Sequence, residues 1–172
     1  MESVKEQAFQ EDKVKILSQF LSFKLGNEEY AVDILSVQEI RSWEPVSRIP
    51  NTPAYEKGVV NLRGDIVPII DLRERFNLGN LEYDNLTVVI VLQFSFQDVT
   101  RIMGFVVDSV SDVVAVDSQI IQNSPNFGAK VSIEFINGLV EINERMLMIL
   151  DVEKLFKLEG IDDNGDTESD KN

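Results

Sequence analysis

The sequence contains no cysteine and no histidine, and it is short of positive charge: 16 Lys and Arg stand against 30 Asp and Glu in 172 residues, a formal net charge of −14. Each shortage excludes some chemistry. Without Cys there is no disulfide and no thiol nucleophile; without His there is no imidazole acid–base catalyst, no Ser-His-Asp triad and almost no route to a structural zinc site. An enzyme would have to work with carboxylates, Lys, Tyr or Ser. A chain this acidic lacks the cationic footprint that nucleic acid or an anionic lipid surface requires, so neither nucleic-acid binding nor direct membrane contact is expected. No apolar run approaches the roughly 20 residues that span a bilayer. The opening MESVKEQAFQEDK has none of the apolar core of a secretory signal, so the sequence reads as cytoplasmic. The nine glycines are scattered singly and form no phosphate cradle. The expected cofactor set is empty.

What is present is a repeat. GVVNLRGDIVPIIDLRERFNL, residues 58–78, returns without a gap as GLVEINERMLMILDVEKLFKL, residues 138–158. Identity falls on Gly58 and Gly138, Val60 and Val140, Ile69 and Ile149, Asp71 and Asp151, Phe76 and Phe156, and Leu78 and Leu158. Each copy runs from a Gly through a β-rich segment to an Asp and a short amphipathic helix. The shared positions are those a core needs. The polar turn differs, NLRG in the first copy and INER in the second, so Asn61, Arg63 and Gly64 read as serving a contact rather than the fold.

Along the chain, residues 1–17 read as a polar arm and 159–172, with six acidic residues, as a disordered tail. Residues 19–25 and 29–34, joined by Gly26 and Asn27, predict a β-hairpin. ILSVQEI, residues 34–40, fits either a helical turn or a strand. Pro45, Pro50 and Pro53 mark residues 44–58 as an irregular connection. Residues 66–72 predict a buried strand that Pro68 places at an edge or a bulge. In the second half, residues 87–94, 102–110 and 112–116 are β-branched runs, followed by a turn-rich loop at 123–128. Many short strands, few helices and a twofold repeat indicate two small antiparallel barrels or sandwiches with a common interface.

Several chemical motifs have plainer readings. DDNGD, residues 162–166, opens like a calcium loop, but Thr167 replaces the required Gly. Asn85-Leu86-Thr87 matches a glycosylation acceptor in a chain with no secretory signal. Asp71 and Asp151 could suggest a carboxylate pair, yet each immediately precedes a short helix, where an Asp side chain accepts hydrogen bonds from the first amides. A double-barrel enzyme would draw on Asp71, Asp151, Lys130 or Tyr55, and capping by both Asp residues counts against it.

Segments 20–41 (FLSFKLGNEEYAVDILSVQEIR), 48–76 (RIPNTPAYEKGVVNLRGDIVPIIDLRERF), 87–92 (TVVIVL), 104–114 (GFVVDSVSDVV) and 137–156 (NGLVEINERMLMILDVEKLF) together closely resemble the CheW family of chemotaxis coupling proteins. The resemblance spans about residues 18–158. It implies an all-β fold of two Src-homology-3-like barrels with short helices around a shared core, the first over about 18–83 and the second over about 84–158, with strands free to cross over. It also implies a non-catalytic adapter that binds chemoreceptor tips and the regulatory domain of the histidine kinase CheA. An adapter of another chemosensory system, serving pilus motility or a transcriptional output, is the alternative. The absence of a receiver domain argues against the related CheV type.

Carried over by position, the resemblance places receptor contact on Val37, Glu39, Ile40, Arg63, Val88, Val89 and Gly104. It places one kinase surface on Ile49, Pro50, Pro53, Tyr55 and Gly58. A second kinase contact, closing rings within receptor arrays, falls on Phe127. Recruitment to membrane-associated arrays would then run through these partners.

Overall fold

Strands β1 (Leu17–Leu25) and β2 (Glu28–Asp33) form the expected hairpin, and Gly26 takes the φ of +62° that a tight reversal needs. The ambiguous segment after it is both things in turn. A 3-10 turn at Ile34–Ser36, capped by the Asp33 carboxylate accepting from the Leu35 N–H, leads into β3 (Val37–Ser42). After the proline-rich connection come β4 (Glu56–Leu62), β5 (Asp65–Asp71) and the one-turn helix α1 (Leu72–Arg75). The second half adds β6 (Val88–Phe96), β7 (Val99–Val107), β8 (Ser109–Asp117), β9 (Ile136–Ile142), β10 (Arg145–Leu150) and α2 (Val152–Phe156). This computed structural model describes residues 16–78, 82–123 and 133–159. Leu17, read from sequence as the end of the arm, already belongs to β1 and pairs with Asp117.

The strands sort into two five-stranded sheets, in the orders β8-β1-β2-β10-β9 and β3-β6-β7-β5-β4. A division near residue 84 does not describe them. Each sheet takes its hairpin from one half of the chain and its other three strands from the other half. The connections explain why. The 3-10 turn after β2 carries the chain away, so β3 pairs antiparallel with β6, and after β7 the chain returns so that β8 pairs antiparallel with β1. The β3–β7 barrel is therefore contiguous, residues 37–107, and is inserted into a first barrel made of β1, β2 and β8–β10. Each sheet closes on itself: Ser47 bridges to Val59, and Gln122 to Leu139, the equivalent residue of the repeat. Pro68 lies in β5, which is internal rather than at an edge, but beside an irregularity where β4 shifts register between Glu56 and Gly58; it also precedes Ile69, the first residue paired with β7, so that ladder asks nothing of its missing N–H.

The continuous apolar runs follow from burial of both sheet faces. Along β6, Ile90 and Leu92 enter a central cluster between the barrels, while Val89 and Val91 point into the inserted barrel itself. In β10, Met148 and Leu150 enter the same central cluster and Leu147 and Ile149 fill the first barrel. The repeated Phe76 and Phe156 both join the centre, where Phe76 lies 5.2 Å from Phe135 and Phe156 lies 5.7 Å from Phe94, centroid to centroid. Burying each such ring contributes about 2–3 kcal/mol. The shared core is thus built from both halves of the sequence.

Both Asp residues cap as expected: Asp71 accepts from the Arg73 N–H and Asp151 from the Lys154 N–H. Asp71 does more. The Arg73 guanidinium, 1% exposed, forms ion pairs with Asp71 at 2.9 Å and Asp108 at 3.2 Å. Burial alone would lower the Arg73 pKa, but hydrogen bonds and charge from Asp71, then Asp108, more than offset it and hold the group firmly protonated. Asp108 also accepts from the Gly26 N–H at 2.7 Å, so the buried cluster ties α1 of the inserted barrel to the β1–β2 hairpin of the first. The second copy has Glu153 in place of Arg73.

Candidate functional site

The β4–β5 hairpin turns through Arg63 and Gly64, whose φ values of +53° and +93° mark a two-residue reversal with both central residues left-handed. Asn61 Oδ1 accepts from the Gly64 N–H at 2.8 Å and holds the turn. Asn61 and Gly64 therefore serve the fold, contrary to the sequence reading, and Arg63 alone projects. The same reversal is made in the second copy by Asn143 and Glu144, at +50° and +65°. A left-handed reversal common to both copies explains how NLRG and INER can exchange.

Arg63, its side chain 72% exposed, reaches across the barrel to Glu39 on β3 at 3.3 Å. The other Glu39 oxygen, Oε1, is enclosed without a hydrogen-bond partner. Ile40, next in sequence, is 44% exposed. Glu39 and Ile40 are successive residues of β3 and turn to opposite faces: Glu39 pairs with Val91 of the barrel interior, and Ile40 with Ile90 of the central cluster.

The remaining residues assigned to receptor contact lie on β3, β6 and β7 and are less exposed. Val37 and Val88 are half-buried against the central cluster between the barrels. Val89 is buried inside the inserted barrel, beside a cavity of about 50 Å³ that Val46, Val60, Ile69 and Val91 also line. Gly104 is buried as well. A Cβ there would stand 2.5 Å from Ile69 Cδ1 and 2.8 Å from Val89 Cγ1, so glycine at this position is a packing requirement. Sequence reading took Val60 and Ile69 as core repeat positions and did not see that they share a cavity wall with Val89.

On the proline-rich connection, Ile49, Pro50 and Pro53 are exposed together. Tyr55 and Gly58 turn inward. The Tyr55 ring is half-buried, 5.3 Å from the Arg75 guanidinium carbon. Gly58, at a φ of +145°, lets the Ser47 carbonyl approach to where a Cβ would be 2.0 Å from its oxygen. That approach accompanies the Ser47–Val59 bridge that closes the barrel. Phe127 lies outside the described residues, as does Lys130.

A second ionic link was missed by sequence reading. Glu39 stands in Ser36-Val37-Gln38-Glu39-Ile40, and Asp112 in Ser109-Val110-Ser111-Asp112-Val113, the matching signal. Asp112 sits on the edge strand β8 of the first barrel and meets Arg145, beside the Asn143–Glu144 turn, at 3.8 Å. Arg145 also pairs with Glu29 at 3.1 Å. The second copy thus has its own Arg near the turn, displaced by two residues from the position of Arg63.

Asp71 is fully buried and held by Arg73 and Tyr83, and Asp151 caps α2, in the other copy of the repeat. The two do not form a carboxylate pair. Burial, then the charge and hydrogen bond of Asp71, raise the Tyr83 pKa.

A family model for the CheW-like domain matches residues 19–160. The chain belongs to the CheW-like domain family. It is 51% identical over 141 residues to the chemotaxis protein CheW of Klebsiella aerogenes, covering 82% of each chain. It is 37% identical over 147 residues to a probable chemotaxis protein CheW of Rhizobium etli, covering 83% of this chain and 92% of that one. The crystal structure of the scaffolding protein TtCheW from Thermoanaerobacter tengcongensis is similar at a TM-score of 0.74 and 28% identity, over 87% of this chain and 94% of the other. CheW-family membership agrees with the all-β, two-barrel fold described above, and the family is one of chemotaxis scaffolds and adapters. Among the described residues, no helix is long and apolar enough to cross a membrane.

Proposed function

We propose that this CheW-family protein is a non-catalytic adapter coupling chemoreceptors to the histidine kinase CheA. The observation that carries the reading is the exposed Arg63, held over β3 by its pair with Glu39. The Arg63 side chain, 72% exposed, is held at 3.3 Å by Glu39, and Ile40 is 44% exposed on the same strand. An exposed guanidinium and an exposed aliphatic suit a partner helix that offers an acceptor and an apolar side chain. Val37 and Val88, at the seam between barrels, would line the approach. Val89 and Gly104 would act from behind by fixing the inner wall.

For the kinase regulatory domain, the exposed Ile49, Pro50 and Pro53 are the surface we assign, with Tyr55 and Gly58 shaping it from beneath. Phe127 is kept as the ring-forming contact. In this reading the protein resides in the cytoplasm and reaches receptor arrays through its partners. The test is separate calorimetric titration of a receptor cytoplasmic fragment and a CheA regulatory domain. Ile40→Asp should weaken the first at least tenfold and spare the second. Binding of neither partner by the unmodified chain would sink the proposal.

A further inference from the structure

Where α1 and α2 approach each other, a cavity of about 300 Å³ gathers Arg75, Lys154 and Lys157 around a single carboxylate, Glu134, with Tyr55 and Phe135 as walls. In a chain of net charge −14 this is a local reversal of sign. The Arg75 guanidinium carbon lies 5.3 Å from the Tyr55 ring centroid and 5.7 Å from that of Phe135, and its Nε is enclosed without a hydrogen-bond partner. Lys157 approaches Glu153 at 4.0 Å, whereas among the described residues Arg75 and Lys154 have no carboxylate at ion-pair distance. A guanidinium laid on aromatic faces with an unused N–H, beside two ammonium groups, favours a carboxylate-bearing occupant.

The chain itself supplies one. Leu158 lines the same cavity, and residues 160–172 follow it with Asp162, Asp163, Asp166, Glu168 and Asp170 against a lone Lys171. We propose that this acidic tail folds back over the α1–α2 seam and docks Asp162 and Asp163 against Arg75 and Lys154. These two carboxylates are four and five residues beyond Leu158. Extended chain of that length spans roughly 13–18 Å, enough to return to a cavity that Leu158 lines. The first residue of this segment is Gly160, which carries no Cβ to hinder a reversal. Tethering supplies an effective concentration on the order of millimolar, so two charge-assisted contacts suffice without a preformed groove. The docked tail covers the inner side of Tyr55.

The test compares the full chain with a variant ending at Gly160, using amide resonances of Glu134, Phe135, Lys154 and Lys157 and the Arg75 Nε–Hε resonance. Truncation should shift these and leave the β3–β6 ladder unmoved. A synthetic peptide of residues 161–172 added to the truncated chain should restore the original positions at roughly millimolar concentration, and about 1 M NaCl should abolish the effect. The double variant R75Q/K154Q should not respond to the peptide; K154Q alone, at an exposed site, serves if the double variant is poorly folded and should respond more weakly. Unchanged cavity resonances on truncation overturn the proposal. So does a shift that grows with protein concentration over a tenfold range, which would identify the tail of a second copy as the occupant.

Discussion

Glu39 and Arg63 meet at 3.3 Å although β3 and β4 are the opposite edges of one sheet order. The ion pair spans the closure of the inserted barrel, alongside the Ser47–Val59 bridge. Arg145 and Asp112 make the corresponding link in the first barrel, at 3.8 Å. Such exposed pairs are screened by water, so they contribute at most about 1 kcal/mol each, and the bridges and cores hold the barrels.

Arg63→Glu should therefore lower the melting midpoint by only a few degrees, because the loss is about 1 kcal/mol or less. Receptor binding should fall by about 2 kcal/mol or more, since an interface charge is reversed beside Glu39. Parallel titrations against receptor fragment and kinase domain check this. Equal weakening of both partners would count against a receptor-specific role.

The two buried glycines should differ in cost. At Gly104 the obstruction to a Cβ is the side chains of Ile69 and Val89, which can shift, so Gly104→Ala should cost about 1–3 kcal/mol. At Gly58 the obstruction is the Ser47 backbone at a φ of +145°, so Gly58→Ala should cost more than Gly104→Ala. Urea midpoints of the two variants decide the order.

Arg73→Met leaves the fully buried Asp71 without its counter-charge and should destabilise by about 3–5 kcal/mol. Replacing Arg73 and Asp71 together, as Met and Leu, should recover much of that loss, because the desolvation penalty goes with the charges. A double-mutant cycle measured by denaturant unfolding reports the coupling. Additive losses would mean the pair is not the unit described here.

Tyr83 stacks on Trp43 at 4.3 Å and donates its hydroxyl to Asp71. Because its folded pKa is raised, its contribution is complete below the unfolded value near 10 and declines as pH climbs from there through the folded value. Alkaline unfolding curves should show this decline in the native sequence and a shallower one in Tyr83→Phe. Identical pH slopes above 10 would remove the link between Asp71 and the phenol.

Cutting the chain near residue 84 should yield two fragments that do not fold separately. The first holds β1 and β2 without β8–β10, and β3–β5 without β6 and β7. Circular dichroism and amide dispersion of the fragments, alone and mixed, provide the measurement. Mixing should restore native dispersion; a folded 1–83 fragment would contradict the strand exchange.

Much was legible in the sequence because it is set by neighbours along the chain. Alternation and turn residues specified the β1–β2 hairpin. The Asp before each short helix specified its cap, since a capping carboxylate acts on amides only two or three residues ahead. The repeat announced paired units, and apolar identity at Phe76 and Phe156 marked their common core.

Which strand lies beside which was decided only in three dimensions. Nothing between Asp33 and Val37 signals that β3 will leave the hairpin behind it and pair with β6, more than forty residues on, because that choice is made by apolar surfaces that meet only after collapse. The same holds for the site. Ile40, Val88 and Val89 are similar β-branched residues on paired strands, yet one faces solvent, one the seam and one the barrel interior. Arg73 looks like a solvated helix charge until the fold brings Asp108 to it from 35 residues away. Sequence determined the elements and their ends through local hydrogen bonding and periodicity; tertiary structure decided partners and exposure, because these depend on which surfaces exclude water together.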